Sequence, residues 1–135
     1  MTAATGPMLR AYPGDLPLDP PLLTRAVDAL VTCDEACTAC ADACLDEAGV
    51  AELTVCIRTC LDCADVSGTA VRVISRRTGY DAEISSSLLA AAVLASRACA
   101  LECERHAGMH EHCRICAEAC RAAEAACRDL LVTVR

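Results

Sequence analysis

Phenylalanine and tryptophan are absent from this chain of 135 residues, and its aromatic content is two tyrosines, Tyr12 and Tyr80. A core built on aromatic rings is thereby excluded, and the interior must come from Leu, Val, Ile, Ala and Cys. Proline is missing after Pro21, so no imino ring interrupts a helix over the rest of the chain. A basic excess is missing too: the net charge is −7. No nucleic-acid partner is therefore expected, since that role demands a basic footprint. The opening "MTAATGPMLRAYPGDLPLDPP" has no apolar stretch behind a basic cluster and does not read as a secretion signal. No run reaches the ~18 uninterrupted apolar residues of a membrane span, so no membrane partner is expected. The expected location is cytoplasmic, where thiols stay reduced.

What is abundant is cysteine. There are thirteen, in a chain that is 55% hydrophobic. An odd number cannot pair completely within one chain. The length suits a single domain. All five prolines lie at or before Pro21, so residues 1–19 read as an irregular arm and 20–135 as the folded domain. Asp19-Pro20-Pro21 is a helix start, a capping side chain followed by Pro in the first turn. A first helix should run to about Ala48 and stop at Gly49. A second should run from about Ala51 to Arg77, with Gly79 beyond it. A third, capped by Asp81, should reach about His106. After Gly108 a fourth should cover roughly Glu111 to Val134. Gly68 lies inside the second helix and marks close packing or a bend. Four long helices with short links predict an all-α fold, an antiparallel four-helix bundle with a Cys-lined core.

The cysteines fall on helical spacing. "CDEACTACADAC" places Cys33, Cys37, Cys40 and Cys44 within about 60° of arc at 100° per residue. "CIRTCLDC" does the same for Cys56, Cys60 and Cys63. The third helix contributes Cys99 and Cys103. The fourth contributes Cys113, Cys116, Cys120 and Cys127, again within about 60°. Apolar residues continue each stripe: Leu22, Ala26 and Ala29; Ala70 and Ile74; Leu88, Ala92 and Ala95; Leu131. Each stripe is therefore the core-facing seam of its helix. Cys44 and Cys56 flank Gly49, and Cys103 and Cys113 flank Gly108, so the thiols gather at one end. They extend about 25 Å inward at 1.5 Å per residue, and the far end is aliphatic.

Three chemistries compete for such a column. Cysteines four apart on one helix have near-parallel side chains, poor for a short S–S bond. A core that needed only volume would use Leu, Val or Ala, without the risk of oxidation. Zinc sites gather closed sets of four ligands, and these spacings lack the separated pairs of a finger or ribbon. Soft thiolates select Cu(I), and a thiolate column suits a low-coordinate ion strung along it. Iron–sulfur clusters need only four thiolates each. A thiol redox sensor and a zinc or mixed-metal sink remain the alternatives to Cu(I).

The Cys-x₃-Cys and Cys-x₂-Cys sets of "CDEACTACADAC", "CIRTCLDC", "CALEC" and "CRICAEAC", with Cys127, resemble those of the bacterial copper storage proteins, in their cytosolic branch. The resemblance spans residues 20–135. It implies a bundle that holds many Cu(I) ions inside, commonly as a homotetramer in which each bundle is its own store, and copper admission at an end bearing His or Met. The partners it implies are copper ions and further copies of the chain; a copper chaperone is a further expected partner. This chain differs in carrying only two cysteines on its third helix.

That end is "HAGMHEH", where His106, Met109, His110 and His112 cluster on the last link. Imidazole and thioether hold Cu(I) more weakly than paired thiolates, which suits a relay. The thirteen cysteines and these four residues form the expected metal site. The alternative for the four is a solvated connector. Glu124 breaks the fourth stripe between Cys120 and Cys127. It is solvated, paired with an Arg, or an occasional ligand, although carboxylate is hard for Cu(I). Glu47 and Glu52 approach their stripes near the first link. No constellation for catalysis is present, and no enzyme activity is expected.

Overall fold

The computed structural model describes residues 4–134; residues 1–3 of the expected arm and residue 135 of the expected bundle lie outside that range. Among the described residues all regular structure is helical. Five helices follow one another: α1 (Thr5–Ala11), α2 (Pro20–Leu45), α3 (Thr54–Ile74), α4 (Ala82–His106) and α5 (Glu111–Leu131), with a 3₁₀ turn at Val50–Glu52. Helices α2 to α5 form an antiparallel bundle in which α2 packs on α3 and α5, and α4 on the same two.

The caps follow from local chemistry. The Asp19 carboxylate accepts the Leu22 N–H at 3.1 Å, and Pro20 and Pro21 occupy the first turn, where an N–H has no helical acceptor. Asp81 accepts the Ile84 N–H at 2.9 Å and starts α4. The first link is longer than expected. Helix α2 stops at Leu45, the 3₁₀ turn takes Val50–Glu52, and α3 begins at Thr54. Leu53 at the start of α3 is buried beneath that turn. Helix α3 also ends early, at Ile74. Gly79 then turns the chain at φ +68°, where a side chain would be strained. At Gly68 a Cβ would meet the Asp34 carboxylate at 3.1 Å, so glycine here serves close packing of α3 on α2.

The arm is not irregular throughout. Its first part is the two-turn helix α1. Pro7 sits in the opening turn, where it costs no hydrogen bond. Leu9 and Leu18 are buried against the bundle. Thr5 Oγ1 donates to Asp28 at 3.1 Å, and the Tyr12 hydroxyl meets Thr78 Oγ1 at 3.1 Å. The arm thus ties α2 to the α3–α4 link, at the end remote from the thiols.

That end is aliphatic. Leu23, Leu30, Leu89 and Leu130 are fully buried there, with Val27 and Ile74. Each such side chain stabilises by roughly 1.5–3 kcal/mol relative to exposure, before entropy is subtracted. The seam differs in detail from the expected stripes. On α4 it runs through Ser85, Leu89, Ala92, Ser96, Cys99 and Cys103, so Leu89 and Ser96 take the places expected for Leu88 and Ala95. On α5 it reaches Leu130 rather than Leu131. Ile84 is half-exposed outside it. By length and composition alone α4 could cross a membrane, with mean hydropathy 1.6 over its most apolar window; in this fold its seam is part of the bundle core.

Candidate metal centre

All thirteen cysteines are buried and unpaired. The 4-3-4 spacing of α2 turns Cys33, Cys37, Cys40 and Cys44 onto one face, and the matching faces of α3, α4 and α5 meet it at the bundle axis. The sulfurs touch across helices. Cys33 Sγ lies 3.5 Å from Cys63 and 3.7 Å from Cys120. Cys37 lies 3.5 Å from Cys120, 3.7 Å from Cys116 and 3.8 Å from Cys99. Cys60 lies 3.6 Å from Cys99 and 3.7 Å from Cys103. These separations are van der Waals contacts, far beyond the ~2.05 Å of a disulfide.

The contacts build a chain of overlapping donor groups, each with all its ligand atoms within 4.8 Å of one another. Deepest is Cys33, Cys37, Cys63 and Cys120. Next come Cys37, Cys99, Cys116 and Cys120, and then Cys40, Cys60, Cys103 and Cys116. Cys40, Cys44, Cys113 and His112 form the group nearest the surface. Neighbouring groups share members, so an ion in one is a short step from the next. Cys56 joins through Cys103, at 3.8 Å. Cys127 is in none of these groups, although its side chain is buried.

Crowded thiols cannot all ionise together. Hydrogen bonds from neighbours favour a minority of thiolates: Cys120 chiefly lowers Cys33, and Cys103 chiefly lowers Cys40, Cys56, Cys99 and Cys116. Cys40 falls to about 2 and Cys56 to about 7. Cys37, Cys103 and Cys120 are pushed up, each chiefly by Cys116. Burial pushes Cys44 and Cys127 up to about 12. A cation filling this column must therefore displace protons, and binding is linked to their release.

At the outer end His112 joins the column to solvent. Its Nδ1 lies 3.3 Å from Cys40 Sγ and 3.6 Å from Cys113 Sγ. Its Nε2 lies 2.8 Å from the Glu47 carboxylate. Burial lowers the His112 pKa, but the hydrogen bonds with Cys40 and Glu47 outweigh it and the net shift is upward. His110 also reaches Glu47, through Nδ1 at 2.8 Å. The other two expected residues are placed differently. His106 pairs with the buried Glu102 at 3.8 Å and belongs to none of the donor groups. Met109 is 83% exposed, and its thioether does not face the column.

Glu124 is paired with arginines. Its two carboxylate oxygens accept from Arg121 and Arg128, each at 2.9 Å. Burial raises its pKa, and the two guanidiniums more than reverse that. Two seam residues were not expected: Ser67 and Ser96, buried where the thiol column meets hydrocarbon. Their signal was their spacing, Ser67 four after Cys63 and Ser96 three before Cys99. In sequence Glu47 lies only near its stripe; its contact with two imidazoles arises from the folding of both links to one end.

Comparison with known proteins bears on this geometry. The family model described as copper storage protein matches residues 21–132. The chain is 53% identical to Ccsp of Streptomyces lividans, a copper storage protein solved loaded with 10 copper equivalents; the TM-score is 0.93 over 95% of this chain and 98% of that one. A structure of copper loading, with five coppers, to a cytosolic copper storage protein from Streptomyces lividans aligns at 53% identity and TM-score 0.84, over 85% and 96%. The Cu(I)-bound copper storage protein BsCsp3 is 31% identical, with TM-score 0.70 over 78% of this chain and 94% of that one.

Proposed function

This chain belongs to the copper storage protein family, and from that premise we propose that it stores many Cu(I) ions in the cytosol, on the thiolates inside its own bundle. The observation that carries the reading is the column of overlapping four-donor groups, all sulfur but for His112 at the outer end. Soft sulfur selects Cu(I) over hard cations. Sulfurs less than 4 Å apart let neighbouring ions share a ligand, so the column is filled as a cluster rather than as isolated sites. The aliphatic end offers no ligand, so ions pass at the end closed by the two links that carry Glu47, His110 and His112.

His112 is the residue we assign to that passage, because one ring nitrogen meets the outermost thiols while the other meets a half-exposed carboxylate. His110 supports it through the same carboxylate. Storage needs no bond-making at carbon or phosphorus, and we assign the chain no catalytic reaction. We further propose self-association into a homotetramer, with each bundle an independent store, and delivery of copper at the mouth by a copper chaperone. Leu94 and Leu101 on the outer face of α4, both more than half exposed, suit contact with another copy.

The reading is tested by anaerobic titration of the reduced protein with Cu(I) and, separately, Zn(II), each against a competing chelator. The protein should outcompete the chelator for many Cu(I) ions and hold little Zn(II). Zinc held as tightly and in the same number would favour a mixed-metal sink.

A further inference from the structure

Glu47, His110 and His112 offer a donor set unlike the column beneath it. We infer that they form a separate site for a borderline divalent cation of the Zn(II) or Cu(II) type, seated across the mouth of the bundle. His110 Nδ1 and His112 Nε2 both lie 2.8 Å from the same oxygen of Glu47, Oε2. The three ligand atoms fall within 4.8 Å of one another. The imidazoles stack at 5.5 Å with 27° between their planes. In the metal-free protein the carboxylate oxygen takes hydrogen bonds from both rings. A dication there replaces the protons that now lie between these atoms.

The chemistry distinguishes this site from the store, with which it shares His112 through the opposite ring nitrogen. Two imidazoles and a carboxylate leave a fourth position open, the ligand number of an accessible Zn(II) site. Carboxylate is a hard ligand that suits a dication and not Cu(I). The three side chains are 31%, 18% and 25% exposed, so a hydrated ion reaches them without crossing the core. The supporting contacts are present as well. Cys40 and Cys113 hold the other nitrogen of His112, fixing ring and tautomer as outer partners of metal-bound imidazoles do. Glu47 follows the end of α2, and the two histidines begin α5. A bound ion would therefore cross-link the two links that close the thiol end.

The probe is Co(II), the spectroscopic stand-in for Zn(II), added anaerobically to protein already filled with Cu(I) so that its thiols are occupied. The parent should take one Co(II) per chain, with visible d–d bands, no sulfur-to-cobalt charge transfer, and displacement by Zn(II). Glu47→Gln and His110→Ala should each weaken binding by about tenfold or more. The Cu(I) content, measured beforehand, reports on the storage reading separately. Should filling fail, the same titration of the reduced metal-free protein still decides the matter, because the component sought is the one Glu47→Gln removes. Absence of Co(II) binding, a charge-transfer band from thiolate alone, or binding by both variants as tight as the parent's would overturn the assignment.

Discussion

The Nδ1 of His112 lies 3.3 Å from the Sγ of Cys40, a residue 72 positions earlier in the chain. An imidazole so placed can hold an ion weakly at the rim and release it to the thiolates below. His112→Ala should slow both Cu(I) uptake and chelator-driven removal by about tenfold, equivalent to about 1.4 kcal/mol in the passing step, and change the final affinity less. Met109→Ala should load at the parent rate, since that side chain is 83% exposed. Stopped-flow loading compares the two; equal rates for His112→Ala and the parent would reduce the link to a connector.

Cys37 and Cys127 make a second contrast. Cys37 Sγ touches Cys33, Cys99, Cys116 and Cys120, at 3.5–3.8 Å. Cys127 belongs to none of the four-donor groups. Cys37→Ser should therefore lose more tightly held Cu(I) than Cys127→Ser, measured by competition with a chelator. The reverse order would mean that filling depends on rearranged sulfurs.

Ser67 ends the column on α3. Its Oγ lies 3.9 Å from Cys63 Sγ, at the next seam position inward. Ser67→Cys changes size little and adds a soft ligand beside the deepest group. The number of Cu(I) ions held should rise, read by titration of the reduced variant against the parent. An unchanged capacity would show that depth is limited elsewhere.

Glu124 predicts a pH dependence of stability. Its pKa is lowered in the folded state by Arg121 and Arg128, so the contribution is present above the unfolded carboxylate value and is lost as pH falls through the folded one. Glu124→Gln should cost about 1–2 kcal/mol at neutral pH, since both arginines remain partly solvated. The gap from the parent should close below about pH 4. Denaturant unfolding across this range tests it; a gap that persists in acid would point to packing rather than charge.

The bundle was legible because its cysteines are small, buried and spaced at the helical period, so one residue type marked all four seams. Asp19 and Asp81 announced two helix starts for the same local reason, a short acceptor before free N–H groups. Helix α1 was hidden because seven residues carry too little periodicity and the prolines of the arm read as breakers; burial of Leu9 against the bundle holds it. Ser67 and Ser96 were missed because a polar residue on a seam looks like a surface position. Met109 shared its segment with three histidines, but proximity in sequence does not turn a side chain inward. The meeting of Glu47 with His110 and His112 depends on two links folding to one end, which no local pattern contains.

Storage of copper on the buried thiol column is tested most directly by the Cu(I) capacity of a variant in which Cys37, Cys40, Cys60 and Cys120 are all Ser. These four belong to the three deepest donor groups. Serine keeps nearly the same volume while removing the soft ligand. Circular dichroism should report the parent's helicity in the reduced, metal-free variant, and anaerobic titration against a chelator should show a large share of tight Cu(I) binding gone. A folded variant with undiminished capacity would contradict the account.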